Sequence, residues 1–275
     1  MKKDRILYVS QEITPYLPES DMSYITRHLP QGIQEKGNEI RTFMPRFGCI
    51  NERRHQLHEV IRLSGMNLII NDNDHPLIIK VASIQPARMQ VYFIDNEDFF
   101  QRKAVLTNEA GKMFADNDER TVFFCRGVLE TVKKLGWAPD VIHCHGWMTS
   151  LIPLYLKTAF KNDPLYANSK IIYSVYNNPF EKTLSKNFTK KLGMGEISEE
   201  EINTYSDSTF EGINKAAIEW SDGIIIGSEN ISEGFIKHAQ EKGIPVLEYQ
   251  NPEDFVESYS DFYDQVMAED VVLAG

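Results

Sequence analysis

Strand-like and helix-like segments alternate along this chain, and the first three already set its class. Arg5–Ser10 reads as a buried strand, residues 22–36 as a helix ended by Gly37, and residues 39–44 as a second strand closed by Pro45. Glycine just past a helix end adopts the left-handed cap without steric cost. Two strands joined through a helix of that length form a parallel pair with a right-handed crossover.

From residue 58 to residue 95 the texture changes. Short apolar runs at 60–63, 68–70, 77–81 and 90–94 read as strands, with Asn71, Asp72, Asn73 and Asp74 as a turn between two of them. Antiparallel hairpins extending the parallel sheet are expected there. Residues 117–135 carry Val122, Phe123, Val128, Leu129 and Val132 at helical spacing and end at Gly136. Strands are expected at 140–145, 170–175, 223–227 and 244–249, with a helix at 231–242. Ser198 to Glu201 and Ser208 to Glu211 both have capping-box spacing ahead of helices. Residues 1–250 thus read as one doubly wound, Rossmann-like α/β domain with a mostly parallel sheet. Residues 251–275 form an acidic, aromatic tail, expected as a helix packed on the same domain.

Composition narrows the partners. Lys and Arg number 29 against 40 Asp and Glu, a formal charge of -11. Nucleic acid and anionic membrane surfaces need a basic face, so neither is expected as a partner, although a local basic cleft is compatible with the sum. No apolar run approaches the roughly 18 residues of a membrane span. The basic start at Met1 to Arg5 precedes a stretch too short for a secretory core. Three separated cysteines, Cys49, Cys125 and Cys144, imply no disulfide framework, and the cytoplasm is the expected compartment.

The most informative segment runs Asp140, Val141, Ile142, His143, Cys144, His145, Gly146, Trp147, Met148, Thr149. A strand delivers His145 to its carboxyl end, where open α/β sheets place ligand contacts. This segment closely resembles the His-Asp-Trp-His-Thr motif of bacterial glycogen and plant starch synthases, with Gly146 in place of the Asp and Met148 in place of the second His. Other stretches follow in the family's order. They are Tyr8 to Tyr16, Leu29-Pro30, Met44 to Gly48, Phe93 to Asp95 with Phe99 to Arg102, Asp116 to Arg120, and Asn214 through Ser228. The resemblance covers residues 6–239. It implies one half of a GT-B fold, whose active site lies between two Rossmann-like domains, and this chain is expected to stop where the second, ADP-glucose-holding domain begins.

The resemblance also locates what has drifted. The family's Lys-x-Gly-Gly loop brings a cation and unhindered amides to the donor phosphates, a sound arrangement for a diphosphate leaving group. Here the lysine position is Pro18, Glu19 follows, and Ser20 and Asp21 replace the glycines. The family's Ile-His-Asn motif appears as Val175, Tyr176, Asn177. The substrate-binding candidates are therefore Glu12, His145, Trp147, Tyr176 and Asn177. No catalytic residue is assigned beyond His145 as a candidate. Four have a plainer alternative: His145 as a strand-end histidine bonded to backbone, Trp147 and Tyr176 as packing aromatics instead of a sugar-stacking platform, and Asn177, with Asn178 and Pro179, as a turn signal. His143 and His145 share a face of one strand but lack further ligands, so no metal and no cofactor is assigned.

Three functions stay open on these residues. The first is a stand-alone, catalytically degenerate domain that binds α-glucan or regulates glycogen metabolism. The second is a glucosyltransferase completed by a partner chain supplying the donor domain. The third is a homo-oligomer whose cleft faces a copy of itself.

Overall fold

The computed structural model describes residues 3–273, with side chains described through residue 268. The chain opens as β1 (Arg5–Ser10), α1 (Asp21–Glu35) and β2 (Glu39–Pro45). An extension follows: α2 (Glu52–His55), β3 (His58–Glu59), β4 (Met66–Ile70), β5 (Asn73–Ile84), β6 (Met89–Asp95) and α3 (Glu97–Phe100). The second half runs α4 (Asn117–Leu135), β7 (Val141–His145), α5 (Leu151–Lys157), β8 (Lys170–Val175), α6 (Phe188–Lys191) and α7 (Glu199–Asn203). It continues with α8 (Phe210–Glu219), β9 (Gly223–Ile226), α9 (Glu233–Glu241), β10 (Val246–Leu247) and α10 (Phe255–Leu273).

The sheet order is β10-β9-β8-β7-β1-β2-β6-β5-β3, with β4 pairing the outer part of β5. Strands β10 through β6 are parallel, and β5 with its two neighbours β3 and β4 forms the antiparallel extension. The fold is α/β, doubly wound and mostly parallel. From β1 the chain winds one way through α1 to β2, and from β7 it winds the other way to β10. Right-handed crossovers therefore put α1 on one face and α4, α5, α8 and α9 on the other. The reversal between β1 and β7 is the topological switch point, and their carboxyl ends, Ser10 and His145, pair in register there.

Two expectations need correcting. Residues 60–63 are a turn, not a strand. The long strand β5 serves both β3 and β4 as neighbour, and the chain loops out between them. Val60 N–H donates to the Ile79 carbonyl at 2.8 Å and Gly65 N–H to the Leu77 carbonyl at 2.9 Å. Gly65, at φ +86°, makes the return, a conformation glycine adopts without a Cβ clash. Ile61, thrown out by this loop, is 83% exposed. At α8 the cap is Thr209, whose hydroxyl accepts from Gly212 N–H, so Ser208 forms no capping box with Glu211. At α7 the expected box does form, between Ser198 and Glu201.

The C-terminal helix completes the α1 face. Phe255, Tyr259, Phe262, Tyr263 and Val266 recur at helical spacing and are all buried, against Ile6, Tyr8, Val141, Ile172 and Ile225 of the strands. Gly223 on β9 lets this helix come close: a Cβ there would sit 2.9 Å from Val266 and 3.1 Å from Phe262. The carboxylates Glu257, Asp261 and Asp264 face water. Phe262→Ala is expected to cost about 3–4 kcal/mol through the cavity it leaves. Urea unfolding would measure that loss, and hydrogen exchange should show the protection of α10 falling with it.

Candidate functional site

His143 and His145 project from β7 onto the α1 face, and both are fully buried. Their rings lie 3.7 Å apart between centroids. His143 meets the Tyr263 hydroxyl at 2.7 Å through Nδ1 and the Ser174 hydroxyl at 2.7 Å through Nε2. One N–H and one lone pair of a neutral imidazole satisfy both contacts. His145 Nδ1 meets the Tyr176 hydroxyl at 2.8 Å, and its Nε2 is buried with no hydrogen-bond partner among the described residues. Tyr8 lies against both histidines. Burial disfavours the imidazolium form, pushing His145 down to about 3 and His143 well below the usual histidine range, with His145 a second cause for the latter.

These residues form a sealed polar layer. Tyr176 is 2% exposed, and its ring stacks over Gly227, where a side chain would collide with it. The turn after β7 is equally tight. Gly146 takes φ +83°, and a Cβ there would lie 2.5 Å from the Met22 methyl and 3.2 Å from the Gln11 amide oxygen. Only glycine lets the β7 turn close on the β1 turn in this way.

Beside this layer, the β1–α1 turn and the start of α10 face one another across an open space. A cleft of about 540 Å³ is lined by Glu19, Asp21, Tyr24, Gly227, Tyr249 and Phe255, among others. It contains two carboxylates and no lysine or arginine. Ser20 caps α1, and its hydroxyl donates to Glu12 Oε2 at 2.8 Å while Thr26 Oγ donates to the Glu12 carbonyl at 2.6 Å. Burial raises the Glu12 carboxyl above the ordinary carboxylate range, and the Ser20 bond opposes that only in part.

A second cleft, of about 440 Å³, opens on the other side of the β8 turn. Its walls include Phe114, Trp147 and Phe180, with Lys112 and Lys182 on the rim. Phe180 meets Trp147 edge-on at 4.9 Å between ring centroids. Asn178 lines the same cleft, and both its amide oxygen and its amide nitrogen are buried without a partner among the described residues. A buried primary amide with neither end satisfied is costly unless a ligand or water completes it.

The structure thus disperses the candidates named from sequence. His145 and Tyr176 form one bonded pair beneath α10. Glu12 holds the α1 cap, and Trp147, itself only 1% exposed, backs the aromatic cleft. Asn177 is exposed, donates its backbone N–H to Ser228 Oγ at 3.2 Å, and lines a separate small cleft with Phe210 and Phe235. Trp147 and Tyr176 do not share a platform. Tyr263 and Asn178 emerge only in three dimensions: the first was one aromatic of the tail, the second half of an Asn-Pro turn signal.

Comparison with known proteins bears on these clefts. The family described as the starch synthase catalytic domain matches residues 5–247. A glycogen synthase of Chlorobium luteolum is 36% identical over 195 residues, covering 70% of this chain and 40% of that protein. One from Chlorobium limicola gives the same figures. The chain therefore spans about 40% of the length of the curated relatives it matches. The catalytic domain of Arabidopsis thaliana starch synthase IV, solved with ADP and acarbose, superposes with a TM-score of 0.72 at 18% identity, covering 91% of this chain and 52% of that one.

The buried histidines make a pH prediction. Unfolded, each imidazole titrates near 6.5; folded, each stays neutral far below that. The unfolded chain then binds more protons, so stability is whole above about pH 6.5 and falls as pH drops toward the folded values. His145→Asn should flatten the slope by about 1.4 kcal/mol per pH unit between about pH 5.5 and 4. Parallel urea titrations of both proteins across that window would measure it, and identical slopes would show that His145 protonates freely in the folded chain.

Proposed function

The chain belongs to the starch synthase catalytic-domain family, and on that premise we propose that it is an α-glucan-binding member that does not transfer glucose by itself. The aromatic cleft at Phe114, Trp147 and Phe180 carries the binding half of this reading. Sugar rings offer apolar faces to aromatic walls and vicinal hydroxyls to a primary amide, and Asn178 in that wall has a buried amide oxygen and nitrogen without a partner among the described residues. The volume of about 440 Å³ lies in the range of small-ligand sites.

The catalytic half rests on charge. A departing diphosphate needs cations and open amides aimed at it. The β1–α1 turn, where the family's phosphate loop falls, offers Glu19 and Asp21 to its cleft and no cation. His145, the retained motif histidine, is bonded to Tyr176 beneath α10 and reaches no open surface. In this reading residues 1–250 are the family-like unit, and the tail from residue 251 closes the face where a donor would be engaged.

Affinity electrophoresis through a glycogen-containing gel tests the binding half. The wild type should be retarded, and Asn178→Ala should lose about ten-fold or more in affinity, as expected for losing two hydrogen bonds in a dry site. Equal mobility with and without glycogen would defeat the reading. Labelled ADP-glucose tests the other half. Incorporation into glycogen by the purified chain alone would overturn the claim of silence. Incorporation above the lysate background only when chain and lysate are mixed would point instead to a cleft completed by another chain.

A further inference from the structure

Beyond β2, on the α1 side of the extension, a third cleft of about 430 Å³ has a different chemistry. Arg54, His55 and His58 line it together with Tyr16, Gln56 and Gln85, and its lining contains no carboxylate. In a chain with 40 acidic and 29 basic residues this is a local reversal of sign. The cause is visible on α2. Its one carboxylate, Glu52, turns away into a cluster where it meets Arg46 Nε at 3.1 Å and Lys80 Nζ at 2.7 Å, with Asp95 bound to both cations. Arg46 and Lys80 are thereby neutralised. Among the described residues no carboxylate lies within ion-pair distance of Arg54, His55 or His58.

The remaining geometry holds these groups in place. His55 packs edge-on against Tyr16, 5.0 Å between ring centroids, and Tyr16 in turn packs edge-on against Phe93 of β6. Asn51 caps α2 by accepting the Arg54 N–H at 3.0 Å, and Gln56 ends the helix in the left-handed conformation, which directs the chain to His58 at the start of β3. Two imidazoles and a guanidinium are thus presented from one tight turn, with the amides of Gln56 and Gln85 beside them. An arginine fork flanked by histidines suits a tetrahedral oxyanion, to which guanidinium binds through two parallel hydrogen bonds.

The geometry points to this cleft as a phosphate-binding site, taking inorganic phosphate or the phosphate group of a small monoester, separate from the glucan cleft. It stands independently of the glucan reading, since none of its residues lines the aromatic cleft. Arg53 supplies an internal control: it sits on the same one-turn helix and is also exposed, but does not line the cleft.

Isothermal titration calorimetry of the full chain at low ionic strength, with inorganic phosphate and with glycerol 3-phosphate, tests this. The wild type should bind at least one of them. Arg54→Glu and Arg54→Gln should each weaken binding by about ten-fold or more, His58→Ala should weaken it less, and Arg53→Glu should stay within about two-fold of wild type. Tighter binding of glycerol 3-phosphate assigns the site to a monoester; equal or tighter binding of inorganic phosphate assigns it to the free ion. Either result sustains the site. No binding of either probe up to 10 mM (about 2.7 kcal/mol of affinity), or an Arg53→Glu loss matching that of Arg54→Glu, would overturn it. Glycogen retention of the Arg54 variants should be unchanged, so failure here leaves the glucan reading intact.

Discussion

The contact between the Tyr263 hydroxyl and His143 is the interaction on which the rest of the switch point depends. Two imidazoles in a dry layer, with ring centroids 3.7 Å apart, are tolerable only if neutral and hydrogen-bonded. Ser174 meets one nitrogen of His143 from the next strand, and Tyr263 meets the other from α10. The aromatic stripe of α10 contributes apolar burial, while Tyr263 fixes the register in which that stripe lies on the sheet. Tyr176 then meets one nitrogen of His145, and Gly227 leaves room for the Tyr176 ring.

That arrangement changes what the carboxyl ends of the strands can present. In an open doubly wound sheet the crevice between the first and the reversing strand is the natural ligand position. Here the strand end carries bonded, buried histidines, Met22 and Gln11 close on Gly146, and the neighbouring cleft is edged by Glu19 and Asp21. Unsatisfied polar atoms at a cleft wall instead gather one turn further along, at Asn178. Charge is separated in the same manner. Carboxylates edge the cleft at the β1–α1 turn, whereas Arg54, His55 and His58 line a cleft beyond β2 that holds no carboxylate, where Glu52 is drawn off by Arg46 and Lys80.

Much of the scaffold was legible in one dimension. The helix at 117–135 and the strand at 170–175 emerge with the expected bounds, and the alternation of β7 does place both histidines on one face. Those segments are long or strongly periodic, so local pattern and tertiary packing agree. Legibility failed where one residue answers to two partners. The run at 60–63 is apolar enough for a strand, yet β5 takes its hydrogen bonds from Val60 and Gly65 and expels what lies between. At α8 either Ser208 or Thr209 had the chemistry to cap, and the approach of the chain from β-bridged Thr183 and Thr209 selected the second. For the site, residue identity along the chain could not tell an open wall from a sealed one.

The sequence by itself determined the winding of the sheet, the family to which the chain belongs, and a first strand-helix turn without lysine or arginine, because each is written in periodicity or in residue identity. Only the tertiary structure decided that His145 is covered, that Trp147 and Tyr176 stand apart, and that the Asn178 side-chain amide and the Arg54 guanidinium find no hydrogen-bonding or ion-pair partner among the described residues. Those are properties of what approaches a side chain from distant parts of the chain. His143 and Tyr263 are 120 residues apart, and no local pattern records a hydrogen bond closed across that distance.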